Sequence, residues 1–362
     1  MWGDIAIAFL LAFITAYVIT PYTIRLAKKI GAVDVPKDKR KIHQNSIPRL
    51  GGLAVIAGFT VSIIYLLIVM SMEGTLVLTG PDNYYIKLIG FALGGLVLSI
   101  FCFIDDLKGI RPFVKLIGQI IAAIIVTYSG IRIDQIFIHS IEDIITSDVL
   151  SFVITVVWII GITNAINLID GLDGLSSGIG IISCVSLLII FTLNGSPLIS
   201  IILITALAGA LVGFIPFNFN PAKTFIGDTG ANFLGYSLSI ISILGVAKTY
   251  TAIVLIAPLI IFAIPLLDTG FAIIRRIIKT RSFKGVFEAD RGHLHHRILK
   301  HGYDQKQTVF MLYGISAAFG MFAIILLESG LYKALSFGLM VIAIGAIGFK
   351  DIIKLGKEEE KK

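Results

Sequence analysis

Apolar runs of about 20 residues recur along the whole chain, and each is long enough to cross the ~30 Å hydrocarbon core of a bilayer. Backbone polar groups have no water to bond with in lipid, and a helix satisfies them within its own segment. The pattern predicts an all-α polytopic integral membrane protein. Eleven candidate spans follow: 4–26, 52–72, 85–104, 112–129, 149–168, 175–193, 197–216, 229–246, 249–272, 307–327 and 331–349. They make one transmembrane domain over 1–350, followed by a charged tail, 351–362. The stretch 130–148 alternates apolar and polar residues (IRIDQIFI) and reads as a short strand or an interfacial segment. A composition of 56% hydrophobic and 15% charged residues excludes a soluble globular chain. Cys102 and Cys184 both lie inside apolar runs, so neither a disulfide framework nor a cysteine zinc site is implied. The first run follows Asp4, has no basic residue before it and lacks a small-residue cleavage site, so it reads as a retained helix.

Charge orients the spans. Of the 30 Lys and Arg residues, 26 fall in the odd-numbered connections and the C-terminal tail; only Lys87, Arg132, Lys248 and Lys333 fall on the other side. That asymmetry places the N terminus outside and the C terminus in the cytoplasm. It also accounts for the net charge of +7 without a nucleic-acid partner.

The same orientation brings every unusual polar cluster to one face: DVPKDKRKIHQNSIPRLGG (34–52), IDDLKGIRP (104–112), TNAINLIDGLDG (163–174), FNFNPAKTFIGDTG (217–230) and FEADRGHLHHRIL (287–299). Five such loops on one side predict a shared site. Asp105 and Asp106 close a helix at its partly negative end, where acids are disfavoured, and point about 100° apart. One can face a pocket while the other caps, pairs or meets solvent. Asn164, Asn167, Asp170 and Asp173 recur every three residues and converge only if the helix tightens or breaks, as Gly171 and Gly174 allow. Amides and carboxylates together are hard ligands that suit Mg²⁺, with Mn²⁺ as the alternative ion. Asp228 opens the next span, as an N-cap or a metal ligand, and Phe225 lies three residues before it, as a stacking ring or an interfacial anchor. His293, His295 and His296 stand between Arg291 and Arg297, a set suited to phosphate or to carrying protons rather than to zinc. The first loop adds Asp34, Arg40, Lys41, His43 and Arg49 beside the same site. A divalent cation rimmed by Arg, Lys and His at a membrane surface is chemistry for phosphate or pyrophosphate.

Taken together, these motifs resemble the polyprenyl-phosphate N-acetylhexosamine-1-phosphate transferase family (glycosyltransferase family 4) over essentially the whole chain. RGHLHHR is similar to the branch that uses undecaprenyl phosphate and UDP-N-acetylglucosamine. The phospho-N-acetylmuramoyl-pentapeptide branch typically carries a contiguous triple histidine followed by an acid, and this chain reads H-L-H-H-R. The resemblance implies Mg²⁺-dependent transfer of N-acetylglucosamine-1-phosphate to a polyprenyl phosphate with release of UMP, as the first membrane step of a teichoic acid, O-antigen or related polymer. It implies Asp228 and Asn167 as metal ligands, with Asp170 and Asp173 close by. Asp105 would be the base or activator and Asp106 would orient it. Phe225 matches a ring that stacks on uracil and Asn218 an amide contacting it. Lys115, Arg297 and the three histidines match positions around the pyrophosphate and sugar, His293 being counted with the catalytic group. Asp34, Arg40 and His43 are read as substrate-facing, and a homodimer is compatible with the likeness. A transporter is the competing class, but its site would lie near the midplane on repeated halves rather than at span ends on one side.

Overall fold

The computed structural model describes residues 2–35, 46–74, 83–133, 148–246, 252–280 and 292–343. Helices fill most of this chain: α1 (Trp2–Ile30), α2 (Gly52–Met72), α3 (Tyr84–Lys108), α4 (Pro112–Tyr128), α5 (Asp148–Ile169), α6 (Leu175–Leu193), α7 (Leu198–Asn218), α8 (Gly227–Val246), α9 (Ala252–Ile261), α10 (Ala263–Thr280), α11 (Leu294–Lys300), α12 (Gln305–Ser329) and α13 (Leu331–Ala343). The two-residue strands β1 (Val33–Asp34) and β2 (Ile47–Pro48) pair antiparallel, Val33 opposite Pro48.

Among the described residues seven helices, α1, α2, α3, α5, α6, α7 and α12, are long and apolar enough to cross a membrane, and α4 and α13 are shorter apolar helices. Eleven spans are expected from the sequence, and of the four outside this set the 331–349 run is described only as far as Ala343 and the 249–272 run from Ala252. Helix α4 has only 17 residues, α8 opens on the polar sequence GDTGAN, and the 249–272 run is interrupted at Phe262 and carries Asp268. Most of the alternating stretch within 130–148, and the tail 351–362, lie outside the described residues.

The burial pattern is that of a bundle in lipid. Ile64 and Ile68 on α2 and Leu93, Leu96 and Ile100 on α3 are exposed, while Ser62, Gln119, Thr155 and Asn232 are buried. Such apolar outer faces would associate in water and are at rest in hydrocarbon. Helix α7 is the inner element: 83% of its apolar window is buried against 22% for α1, so neighbouring helices rather than lipid read its surface. Those neighbours come very close. A Cβ at Gly209 or Gly213 of α7 would lie 2.3 Å from the carbonyl oxygen of Phe9 or Phe13 on α1. Approach through small residues is how helices gain packing where lipid removes the hydrophobic drive. Between α3 and α8, the buried Tyr236 hydroxyl donates to the Phe91 carbonyl at 2.8 Å and the two rings stack at 5.5 Å. An interhelical hydrogen bond of this kind contributes about 1 kcal/mol.

Function follows from how the helices alternate. The last turns of α3, α5 and α7, the first turns of α4, α6 and α8, the β1–β2 pair and the start of α11 gather at one end of the bundle.

Candidate active site

The α8 N terminus is the junction of this end. The chain around Phe225 runs beside β2: Phe225 N–H donates to Pro48 O (2.8 Å), Gly51 N–H to Phe225 O (3.0 Å) and Gly52 N–H to Ile226 O (2.8 Å). No side chain fits where these backbones meet. Gly227 has φ +70° and a Cβ there would lie 1.9 Å from Arg49 O; a Cβ on Gly52 would lie 2.2 Å from Gly230 Cα. Asp106 then reaches in from α3. Its Oδ1 accepts from Asp228 N–H (2.9 Å), and its Oδ2 accepts from Thr229 N–H (2.9 Å) and the Thr229 hydroxyl (2.6 Å). The carboxylate capping α8 therefore comes from another helix, and Asp228 keeps its own side chain free of the capping role.

Asp228 instead faces two cations. Its Oδ1 pairs with Lys115 Nζ from α4, and its Oδ2 lies 3.4 Å from Arg49 Nη2. Lys115 Nζ is also 3.4 Å from Asp105 Oδ2. With its amide oxygen turned toward Lys115, Asn167 accepts from Nζ at 3.1 Å and donates to Asp228 Oδ1 at 2.9 Å. Behind these residues runs a chain of amides. Gln119 Nε2 donates to Asn232 Oδ1 (2.8 Å), Asn164 Nδ2 to Gln119 Oε1 (2.7 Å), and Asn232 Nδ2 to the Asp228 carbonyl (2.8 Å). Burial alone would lower the Arg49 guanidinium, but the carboxylates of Asp228, Asp106, Asp34 and Asp105 outweigh it and hold it above its ordinary value.

Whether these residues suit a divalent cation can be read from the place Lys115 takes. Its ammonium sits where two carboxylates and an amide oxygen converge, so the site binds positive charge through hard oxygen donors. Mg²⁺ takes that donor set, commonly with one or two protein carboxylates plus water and phosphate. Among the described residues no three His, Cys, Asp or Glu side chains are grouped to hold a metal by themselves. Asp228 and Asn167 therefore fit a cation whose shell a phosphorylated substrate completes.

From this point a cavity of about 590 Å³ opens, half polar in character, lined by Asp34, Arg49, Asn167, Asp170, Asp173, Asn218, Phe225, Asp228 and His296 among others. Helix α5 ends at Ile169, so the expected break is present and brings Asn167, Asp170 and Asp173 to the cavity; Asn164, the fourth residue of the expected set, stays in the helix behind them with Gln119. Ser176 Oγ donates to Asp170 Oδ1 at 2.6 Å; burial, with the Asp228 charge adding to it, pushes the Asp170 carboxyl up to about 7. Asp173 Oδ2 accepts from Asn220 Nδ2 (2.8 Å) and Ala222 N–H (3.1 Å), which ties the turn to the loop after α7. Asn218 accepts from Ser177 Oγ (2.8 Å) and donates to Thr224 O (3.1 Å) at the cavity wall.

Other expected residues sit around the cavity rather than in its lining. Asp105 accepts from Ile110 N–H (2.8 Å) and reaches the centre through Lys115. Asp106 is the α8 cap. His293 and His295 are buried behind His296, with ring centroids 5.8 Å apart, and a Cβ on Gly171 would lie 2.4 Å from His295 Nε2. Burial, with His296 and His293 beside it, pushes the His295 imidazole down to about 3 and keeps it neutral. Arg297 is exposed and borders an apolar groove beside α12 and α13. Arg40 and His43 lie outside the described residues. Sequence reasoning missed Gln119, Asn232 and Asp268. Gln119 was detectable as an amide inside an apolar run, Asn232 as an amide one helical turn after Asp228, and Asp268 as an acid inside the 249–272 run.

Comparison with known proteins adds ancestry to this geometry. The glycosyl transferase family 4 pattern matches residues 88–246, from within α3 to the end of α8. A Bacillus subtilis (strain 168) protein named as a probable undecaprenyl-phosphate N-acetylglucosaminyl 1-phosphate transferase is 34% identical, over 91% of this chain and 87% of its own length. The decaprenyl-phosphate N-acetylglucosaminephosphotransferase of Mycolicibacterium smegmatis is 29% identical over 98% of this chain and 90% of its own. A phospho-N-acetylmuramoyl-pentapeptide-transferase of Halalkalibacterium halodurans is 28% identical over 88% of this chain and 95% of its own.

Proposed function

The chain belongs to glycosyl transferase family 4, and from that premise we propose that it transfers N-acetylglucosamine-1-phosphate from UDP-N-acetylglucosamine to undecaprenyl phosphate or a similar polyprenyl phosphate. The products are polyprenyl-pyrophosphoryl-N-acetylglucosamine and UMP, and the reaction starts a cell-wall or surface glycopolymer of the teichoic acid or O-antigen kind. The observation that carries this reading is the convergence of Asp105, Asn167, Asp228, Lys115 and Arg49 beside one cavity that Arg49, Asn167 and Asp228 help to line.

The chemistry is an in-line displacement at the sugar-bearing phosphorus. A lipid phosphate oxygen forms the new P–O bond as the bond to the UMP oxygen breaks. The second pKa of a phosphate monoester is near 6, so the attacking group is already mostly dianionic at neutral pH and needs placement more than deprotonation. Lys115 and Arg49 offset the repulsion between two phosphorylated reactants, and the amide chain from Gln119 through Asn232 holds the Asp228 segment while they meet. Asp228 and Asn167 would hold Mg²⁺, which supplies charge neutralisation at the pyrophosphate. Phe225 and Asn218 on the cavity wall suit the nucleoside end, and Asp173 and His296 suit the groups beyond it. The wider proposal is an eleven-span protein of the cell membrane with its N terminus outside and this site in the cytoplasm, supported by the basic residues of the connecting loops.

The test is UMP release by the purified full-length protein. With UDP-N-acetylglucosamine, undecaprenyl phosphate and Mg²⁺, turnover is expected, falling at least about 100-fold in excess chelator and returning when Mg²⁺ is restored. Undiminished turnover in chelator removes the metal from the site. The histidine segment lacks the contiguous triple histidine, so UDP-N-acetylmuramoyl-pentapeptide is expected to react more slowly than UDP-N-acetylglucosamine. A faster rate with the muramoyl donor reverses the choice of substrate.

A further inference from the structure

We infer that Asp268, a buried carboxylate in the amphipathic α10 helix, is a positioning residue that sets the tautomer of His293 and hangs the histidine segment against the acidic turn of the site. This rests on the transferase reading above and extends it to a residue outside the cavity. Asp268 is buried, and its two oxygens have separate tasks: Oδ2 is 2.8 Å from His293 Nδ1, and Oδ1 accepts from Leu294 N–H at 2.7 Å, the first amide of α11. A carboxylate only accepts, so the hydrogen of His293 is fixed on Nδ1. Two turns further along α10, Arg275 presses on the same segment; a Cβ on Gly292 would lie 2.4 Å from its Nε. Helix α10 thus grips the chain immediately before and after His293.

What this grip delivers is a stack. The His293 ring lies parallel to that of His295, at 8° and 5.8 Å, and His295 meets His296 at 4.3 Å. His295 Nε2 lies against Gly171, between the cavity residues Asp170 and Leu172, and His296 forms part of the cavity wall. Among the described residues His295 Nδ1 has no hydrogen-bond partner, so packing and not its own bonds keeps that ring in place. The acid in α10 is therefore connected through imidazoles to the turn that carries Asp170 and Asp173.

Asparagine at 268 separates this role from a general structural one. It nearly matches the carboxylate in shape but offers only one acceptor. Its NH₂ group must face either the Leu294 amide or the ring, and facing the ring requires His293 to move its hydrogen to Nε2. In the purified full-length protein, Asp268→Asn is expected to lower kcat about 10–100-fold, with KM for UDP-N-acetylglucosamine within about threefold of wild type. His293→Gln is expected to do the same, and the double variant to be no worse than the more damaged single one. Losses that multiply in the double variant, or Asp268→Asn turnover within twofold of wild type, overturn the inference. Asp268→Glu keeps two acceptors and is expected to retain more turnover than Asp268→Asn; equal loss also overturns it. If Asp268→Asn does not accumulate as folded protein, Asp268→Glu takes its place in the cycle and the same comparison decides. Nitrogen-15 spectra of histidine-labelled protein, with His293 identified by its loss in His293→Gln, are expected to show Nδ1–H in wild type and a changed ring in Asp268→Asn. That readout needs no turnover. An inactive wild type would refute the transferase reading and leave the spectrum to judge Asp268, and an unchanged ring would refute the role of Asp268 whatever the activity.

Discussion

Asp228→Ala is expected to lower turnover by about 10³-fold or more, a loss of about 4 kcal/mol of transition-state stabilisation, while the protein remains folded. Three observations set that expectation. Asp228 is the carboxylate on which Lys115, Arg49 and Asn167 converge, so its removal leaves two cations and an amide without their common partner. It lines the cavity, so the loss falls where the pyrophosphate would lie. Its backbone N–H is held by Asp106 and its carbonyl by Asn232, so the helix start does not depend on its side chain. The fold should therefore survive a change that the chemistry does not. Initial-rate measurements of UMP release, alongside size-exclusion and thermal-unfolding profiles in detergent, read the two effects separately. A variant that keeps more than about a tenth of wild-type turnover would remove Asp228 from the proposed metal site, because losing a ligand to a cation at the pyrophosphate would cost more than that. Asp105→Ala is the useful contrast: its link to the centre runs through Lys115 at 3.4 Å, so its loss should act on orientation and be smaller.

The fold class was legible because hydrocarbon is an undemanding reader: a run of about 20 apolar residues means a helix wherever it occurs. The gathering of the polar loops was legible for a related reason, since charge and span order together assign each loop to an end. Division of labour within a pair of adjacent acids was not. Nothing in the order Asp105–Asp106 says that the second crosses to the start of α8 while the first turns to Lys115; that depends on how α3 rotates against α8. Of the set Asn164, Asn167, Asp170 and Asp173, read as converging if Gly171 and Gly174 break the helix, the last three line the cavity because α5 ends one residue before Asp170, whereas Asn164 stays within α5, bonded to Gln119. Gln119, Asn232 and Asp268 escaped notice for the opposite reason. Gln119 is an amide in an apolar stretch, Asn232 closes the polar GDTGAN start of α8, and Asp268 follows an apolar run; only the partner each meets in space gives it meaning.

The division between the two acids has a measurable consequence. Asp106→Ala is expected to destabilise the protein by about 3–5 kcal/mol and to abolish turnover with it. The Asp106 side chain has no exposure to solvent, and its loss leaves two amide N–H groups and one hydroxyl of α8 without their acceptor. Those amides lie at the positive end of a 20-residue helix, which the Asp106 carboxylate offsets. Gly227, locked at φ +70° against Arg49 O, gives the segment no room to shift toward another partner. Asp106→Asn retains one oxygen acceptor and should fall between the two, with a smaller loss of stability and a large loss of rate, since Asp228 follows the amide that Asp106 holds. Thermal unfolding in detergent orders the three proteins, and turnover per folded molecule shows whether rate falls with structure or apart from it. Full stability in Asp106→Asn together with complete loss of rate would mean that this carboxylate acts on the reactants and not on α8. An Asp106→Ala protein as stable as wild type would mean that the α8 terminus is held by something other than the acid from α3.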